Sequence, residues 1–211
     1  MIQIKKTALL INCTAINKVS KFLFIILLCT IFLSTPCQAD SLFGQKIAEH
    51  AADQVGKTFF YTSDYRKIPY PGGDIHITKG VCSDVIIRSY RQEGIDLQKL
   101  VHEDMKKNFN LYPKIWGLTK PDTNIDHRRV PNLQVFFKRH GQVLPNDRDF
   151  QTGDIITWNL NPKGSTPHIG IVANKKASDG TPYITHNIGW GTRTDNMLFD
   201  YPITGHYRYH P

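Results

Sequence analysis

The chain has 211 residues, with 26 Lys and Arg against 18 Asp and Glu, a formal net charge of +8, and 40% of its residues hydrophobic. Four of those lysines fall in the first 39 residues, so residues 40–211 carry 22 basic against 18 acidic side chains, a net of +4 without dense basic runs. That balance excludes the footprint of a nucleic-acid binder and suits a polyanionic matrix such as a cell wall. With no low-complexity linker dividing them, these residues are expected to bury one core in one domain.

At the N-terminus, Lys5, Lys6, Lys18 and Lys21 precede an apolar run from Phe22 to Leu33, which ends in Pro36-Cys37-Gln38-Ala39. This is the pattern of a secretory signal peptide, residues 1–39, cleaved after Ala39, and it implies a periplasmic or secreted protein. A run of this length is short for a bilayer span, so no stable membrane span is expected after cleavage; a retained anchor is the alternative. Pro36 before Cys37 stands where a lipoprotein signal needs a small residue. Cleavage removes Cys13, Cys29 and Cys37 and leaves Cys82 as the single mature thiol. No intramolecular disulfide is then possible, and a lone thiol in an oxidising compartment is expected to be either buried or used.

In chain order, Leu42, Ile47, Ala48, Ala51 and Val55 with Gly56 after them predict an amphipathic helix and its stop. Residues 57–80 hold Tyr61, Tyr65, Tyr70 and the turn Pro71-Gly72-Gly73-Asp74, a loop able to wall a cleft. Val81, Val85, Ile86 and Tyr90 recur at helical spacing and Gly94 supplies a stop, which places Cys82 at or beside a helix N-terminus. There the unpaired N–H groups and the helix dipole favour a thiolate, whereas a buried structural cysteine is the plainer reading. Asp84 and Arg88, spaced i,i+4, predict a pair on the helix surface.

Asp96 caps a predicted helix through Leu100, Val101, Met105 and Phe109, and Pro131 starts another through Leu133, Phe136 and Phe137 to Gly141. His102, His127 and His140 in this middle region sit among charges and are expected on a solvated face. From Gly153-Asp154 onward the character changes. Ile155–Leu160, His168–Asn174 and Tyr183–Ile188 predict three strands of an antiparallel meander, and the alternating aromatics near His206–Tyr209 a last strand. Ile169 and Ile171 share one face of the second strand and His168 lies on the other; Ile184, His186 and Ile188 share a face of the third.

A thiol-protease site needs a thiolate at a helix N-terminus, a histidine on a neighbouring strand and a third polar group that orients the imidazole. Cys82, His168 and His186 occur in that order on those elements. The segments GVCSDVIIRSYRQEGIDL, GDIITW, PHIGIVAN and YITHNIG resemble the NlpC-type papain-like cell-wall peptidases. More closely, GVCSDV, GIDL, HEDM, DTNIDHRRVPN, GDI, HIGIV, HNIG and GHYR resemble the bacterial family known as domain of unknown function 1287 (YijF-like). The resemblance implies an α+β, papain-like NlpC-type fold in which the Cys-bearing helix packs on an antiparallel β-meander, with a helical insertion between them in residues 95–150. It implies an exported cysteine hydrolase acting on amide bonds of peptidoglycan peptides, with Cys82 as nucleophile, His168 as general base and then acid, and His186 as orienting residue. Asn187 is the fallback for the third role, and Tyr70 or Tyr65 a candidate for an oxyanion hole.

Asp84 after the cysteine, where those peptidases carry an Asp before it, and the larger middle region are departures from the pattern. No cofactor and no metal are expected, since no HExxH, paired CxxC or HxE motif is present. The alternatives are a non-catalytic cell-envelope binding module on the same fold and a Cys/His metal-binding protein. In the third strand His186 and Asn187 face opposite ways, so one of them reaches His168; Ile184 and Ile188 beside His186 predict that its face meets the Cys helix.

Overall fold

The computed structural model describes residues 36–211, so the predicted signal segment through residue 35 lies outside the described residues. A compact unit runs from Asp40 to Pro211. Helix α1, Pro36–Ala52, is followed by the strand pair β1, Phe60–Tyr61, and β2, Lys79–Gly80, which are parallel to one another. The Cys-bearing helix α2 spans Cys82–Gln92; α3 spans Leu97–Asn108 and α4 Val130–His140. Six strands follow as one sheet: β3, Gln142–Val143; β4, Ile155–Asn159; β5, Pro167–Lys176; β6, Pro182–Asn187; β7, Thr192–Asp195; and β8, Ile203–Arg208. Their order is β3-β8-β4-β5-β6-β7 and every pairing is antiparallel.

The predicted meander is the centre of this sheet, β4-β5-β6. Two features exceed it. β8 returns from the C-terminus to pair with β4, and Asp154, the residue that opens β4, ties the two together through His206 Nε2 at 2.8 Å and Arg208 Nε at 2.7 Å. β7 was not legible, because Thr192–Asp195 carries no apolar alternation. The helices fall where capping chemistry puts them. Asp96 accepts the N–H groups of Gln98 and Lys99 at the start of α3, and Gly94 after α2 has φ +75°, a conformation that a side chain disfavours.

Strand alternation divides the core into two layers. Ile155, Ile169, Ile171 and Tyr207 pack with Val85, Ile86 and Tyr90 of α2 and with Leu133, Phe136 and Phe137 of α4. On the other face, Ile156, Trp158, Val172 and Ile184 pack with Met197 and Leu198 of the β7–β8 connection. Burying such side chains contributes about 1.5–3 kcal/mol each, so each layer is held by several of them.

The register reverses one expectation about the third strand. Val172 lies opposite Ile184 and Gly170 opposite His186, so His186 shares the Trp158 layer and its face is turned away from α2. The Cys helix meets the odd-numbered isoleucines of β5 instead, because Ile169 and Ile171 point toward it. Ile184 did mark an apolar face, but both faces of this sheet are covered.

The expected surface pair Asp84–Arg88 is likewise replaced by two other ion pairs, one buried and one with its carboxylate exposed. Asp84 faces Arg128 with Nε at 2.8 Å and Nη2 at 2.9 Å, and Arg88 faces Asp74 with Nε at 2.9 Å and Nη2 at 3.1 Å. A bidentate fork in a buried site is stronger than an i,i+4 contact at a surface, which is worth a few tenths of a kcal/mol. His127, expected on a solvated face, is buried, and burial pushes its pKa down to about 3.

Candidate active site

Three short segments meet at the N-terminus of α2. The chain enters through β2, and Arg88 holds the Lys79 carbonyl there through Nη2 at 2.9 Å. Asn187 donates to the Gly80 carbonyl at 3.3 Å. Asp84, in the first turn, accepts the Val81 N–H at 2.7 Å, one arm of a capping box without a hydroxyl on the cap residue itself. Ser83 Oγ then donates to the Arg128 carbonyl at 2.7 Å, which ties the helix start to the turn before α4. Cys82, first residue of the helix, is thereby held from every side.

The Cys82 thiol is free and 4% exposed. Pairing of β5 with β6 stops at Gly170 and His186, and the N–H of Ile169, one residue further, meets the Cys82 sulfur in place of a partner strand. The Ser83 N–H and the Tyr61 hydroxyl also act on that sulfur, each favouring the thiolate. Burial outweighs the three donors and pushes the thiol up to about 11, with the Asp84 carboxylate acting in the same direction. Tyr61 rises too, from burial and from the thiol beside it. At neutral pH the resting group is a thiol.

His168 and His186 are brought together at 2.9 Å, Nε2 to Nδ1, and His186 Nε2 reaches Asp195 Oδ2 at 3.1 Å. Arg193 braces the carboxylate at 2.5 Å. The row fixes its own protons when both rings are neutral: Asp195 accepts from His186 Nε2–H, so His186 Nδ1 accepts from His168 Nε2–H. Nδ1 of His168 is left as the basic nitrogen, and it makes no hydrogen bond among the described residues. Burial, with His186 adding to it, holds the His168 pKa down to about 3. Gly170 makes the row possible, because a Cβ there would come within 2.6 Å of Ile184 Cγ2 and 3.1 Å of His186 Cβ.

No hydrogen bond joins Cys82 to the His168 ring; the sulfur contacts the strand at the peptide that follows His168. Cys82 opens onto a cavity of about 580 Å³ lined by Tyr61, Tyr65, Trp116, Arg129 and Pro167 among others. Tyr65 lies on its wall, donating to Asp122 at 3.0 Å. Tyr70 does not line it: the ring packs edge-on against His102 with centroids 5.1 Å apart, drawn away by an apolar contact on α3. Asn187 also lies outside the lining, since its amide is spent on Gly80 and its oxygen on the Gly189 N–H at 3.1 Å. Tyr61 and Asp195 are site residues that sequence reasoning missed. Tyr61 stood in the aromatic loop without a spacing to mark it, and Asp195 belongs to the strand that was not foreseen. Among the described residues no group of three or more His, Cys, Asp or Glu side chains could hold a metal ion, and no helix is long and apolar enough to cross a membrane.

Fold and site together define an α+β domain that sets a helix-terminal cysteine beside a His–His–Asp row at the edge of an antiparallel sheet. The chain belongs to the family described as "Domain of unknown function (DUF1287)", whose model matches residues 48–209. It is similar to the "Uncharacterized protein YijF" of Escherichia coli (strain K12), 51% identical over 166 residues that cover 77% of this chain and 80% of that protein. Among solved structures, it is similar to NlpC2 and NlpC1 from Trichomonas vaginalis, each 17% identical over 79% of this chain, with TM-scores of 0.46 and 0.44. The chain spans 47% and 44% of the length of those two proteins.

Proposed function

We propose that this domain is an exported cysteine hydrolase of amide bonds, acting on peptidoglycan peptides through an acyl-enzyme on Cys82. The observation that carries the reading is the His168–His186–Asp195 row, which leaves an acceptor nitrogen on the residue whose following peptide N–H acts on the sulfur to favour its thiolate. The raised thiol and lowered imidazole favour a neutral resting pair over a preformed thiolate–imidazolium pair. The His168 ring lies in the Trp158 layer, on the face turned away from α2, so the reaction requires substrate binding to bring the imidazole past the sheet edge to Sγ. Cys82 Sγ attacks the amide carbonyl while His168 Nδ1 takes its proton, and His186 with Asp195 supports the charge on the ring. The Tyr61 hydroxyl, which lines the same cavity as Cys82, donates to the oxyanion in this reading. His168 then gives its proton to the leaving amine, and water, activated by the same nitrogen, hydrolyses the thioester.

The test is incubation of the purified protein with peptidoglycan and identification of released fragments by mass. Fragments are expected from the wild type and from neither Cys82→Ala nor His168→Ala. Equal release by Cys82→Ala, or none by the wild type, would sink the reading.

A second reading, a cell-envelope binding module on the same fold, is favoured by the near-complete burial of Cys82 and by the missing sulfur–imidazole hydrogen bond. It predicts peptidoglycan retention that survives alkylation of Cys82, without cleavage.

A further inference from the structure

We infer that Arg129 is a specificity residue that captures a carboxylate of the substrate beside Cys82, which makes the substrate an acidic or free-carboxyl peptide; this rests on the hydrolase reading above. The cavity onto which Cys82 opens is lined by two arginines and by no Asp or Glu. Their states differ. The bidentate Nε–Nη2 edge of Arg128 is occupied by Asp84, with Nη2 also on the Thr62 carbonyl. Arg129 uses only Nη1, on Asp126 at 3.0 Å, while its Nε and Nη2 have no partner among the described residues.

Its plane is nevertheless fixed. The guanidinium carbon stacks 4.1 Å from the centroid of the Trp116 ring, and Asp126, 1% exposed, holds one end from behind. A guanidinium clamped on its face and at one end presents its remaining N–H groups in a set direction, and two parallel N–H groups match the two oxygens of a carboxylate. Apart from Ser63 and Ser165, the remaining lining, including Tyr61, Tyr65, Ile115 and Pro167, is aromatic or apolar. It suits the aliphatic part of a peptide and limits the screening of the charge pair.

Three measurements separate this inference from the reading on which it rests. First, stem peptides cut from peptidoglycan are assayed against Arg129→Gln and Arg129→Lys; KM is expected to rise about tenfold or more in both, with a smaller change in kcat, because a charge-assisted bidentate contact is lost. An unchanged KM overturns the inference. Second, binding of the same peptides to Cys82→Ala is compared with binding of peptides whose carboxylates have been converted to amides. Only the former should bind tightly, and equal binding of the two overturns it.

Third, the unaltered protein is titrated with propionate and with propionamide while the Arg129 Nε–H resonance is followed. A saturable shift with propionate alone is expected; no shift, or the same shift with both, overturns the inference even where the variants fail to fold. If the wild type cleaves nothing while the second and third results hold, the hydrolase reading fails and the carboxylate site stands.

Discussion

Raising the pH in the presence of an alkylating agent probes the resting state of Cys82 directly. Its pKa of about 11, against an ordinary value of 9.0, makes the thiolate share at pH 7 about one in ten thousand, a hundredth of that of an unperturbed cysteine. The logarithm of the iodoacetamide rate, followed by mass spectrometry from pH 6 to 10, is expected to climb with a slope near one and without a plateau. The slope is the informative quantity, because burial of the sulfur lowers every rate by the same factor. Tyr61→Phe should lower the rate further at each pH, since the Tyr61 hydroxyl is one of the groups that stabilise the thiolate. A plateau between pH 5 and 8 would mean that a thiolate–imidazolium pair already exists, and would refute the argument that burial dominates this site.

Asp84→Asn removes the charge opposite Arg128, leaving a guanidinium whose side chain is 4% exposed without its partner; a loss of about 3–5 kcal/mol in urea unfolding is expected, and a loss below about 1 kcal/mol would show that the pair is dispensable. Gly170→Ala forces a Cβ into Ile184 and His186, so it should reduce both stability and turnover, and a crystal structure of the variant should show the His168–His186 bond broken. An intact bond with wild-type turnover would disprove the stated role of the glycine. Burial holds His127 and His168 down to about 3, so the folded state binds their protons less tightly than the unfolded chain. Stability from these two groups is therefore complete above about pH 6.5 and is lost as the pH falls toward 3. The urea midpoint should drop between pH 6.5 and 4, less so in His127→Gln, and a midpoint independent of pH over that range would contradict the assignment.

Short-range chemistry was sufficient for most of the elements. Val85, Ile86 and Tyr90 with Gly94 wrote α2, Asp96 wrote the start of α3, Pro131 the start of α4, and the period of two in Ile169–Ile171 wrote the core of β5. Such signals lie within a few residues of one another, and the backbone responds to them locally. The order Cys82, His168, His186 on a helix and two strands was likewise legible, since side-chain chemistry and element type are both written in the chain.

Tertiary structure decided what alternation leaves open. Period two says that His168 and Ile169 face opposite ways; it does not say which face a helix covers, and here both are covered. Charges were misread for a related reason: Asp84 found Arg128, 44 residues away, in preference to Arg88 four residues on, because a bidentate fork in a buried site outweighs an i,i+4 contact and only the folded chain brings Arg128 within reach. Tyr61 and Asp195 became site residues in the same way. Each owes its place to a strand pairing, of β1 with β2 across some twenty residues and of β6 with β7 across a tight connection, in segments that carry no apolar alternation to mark them as strands.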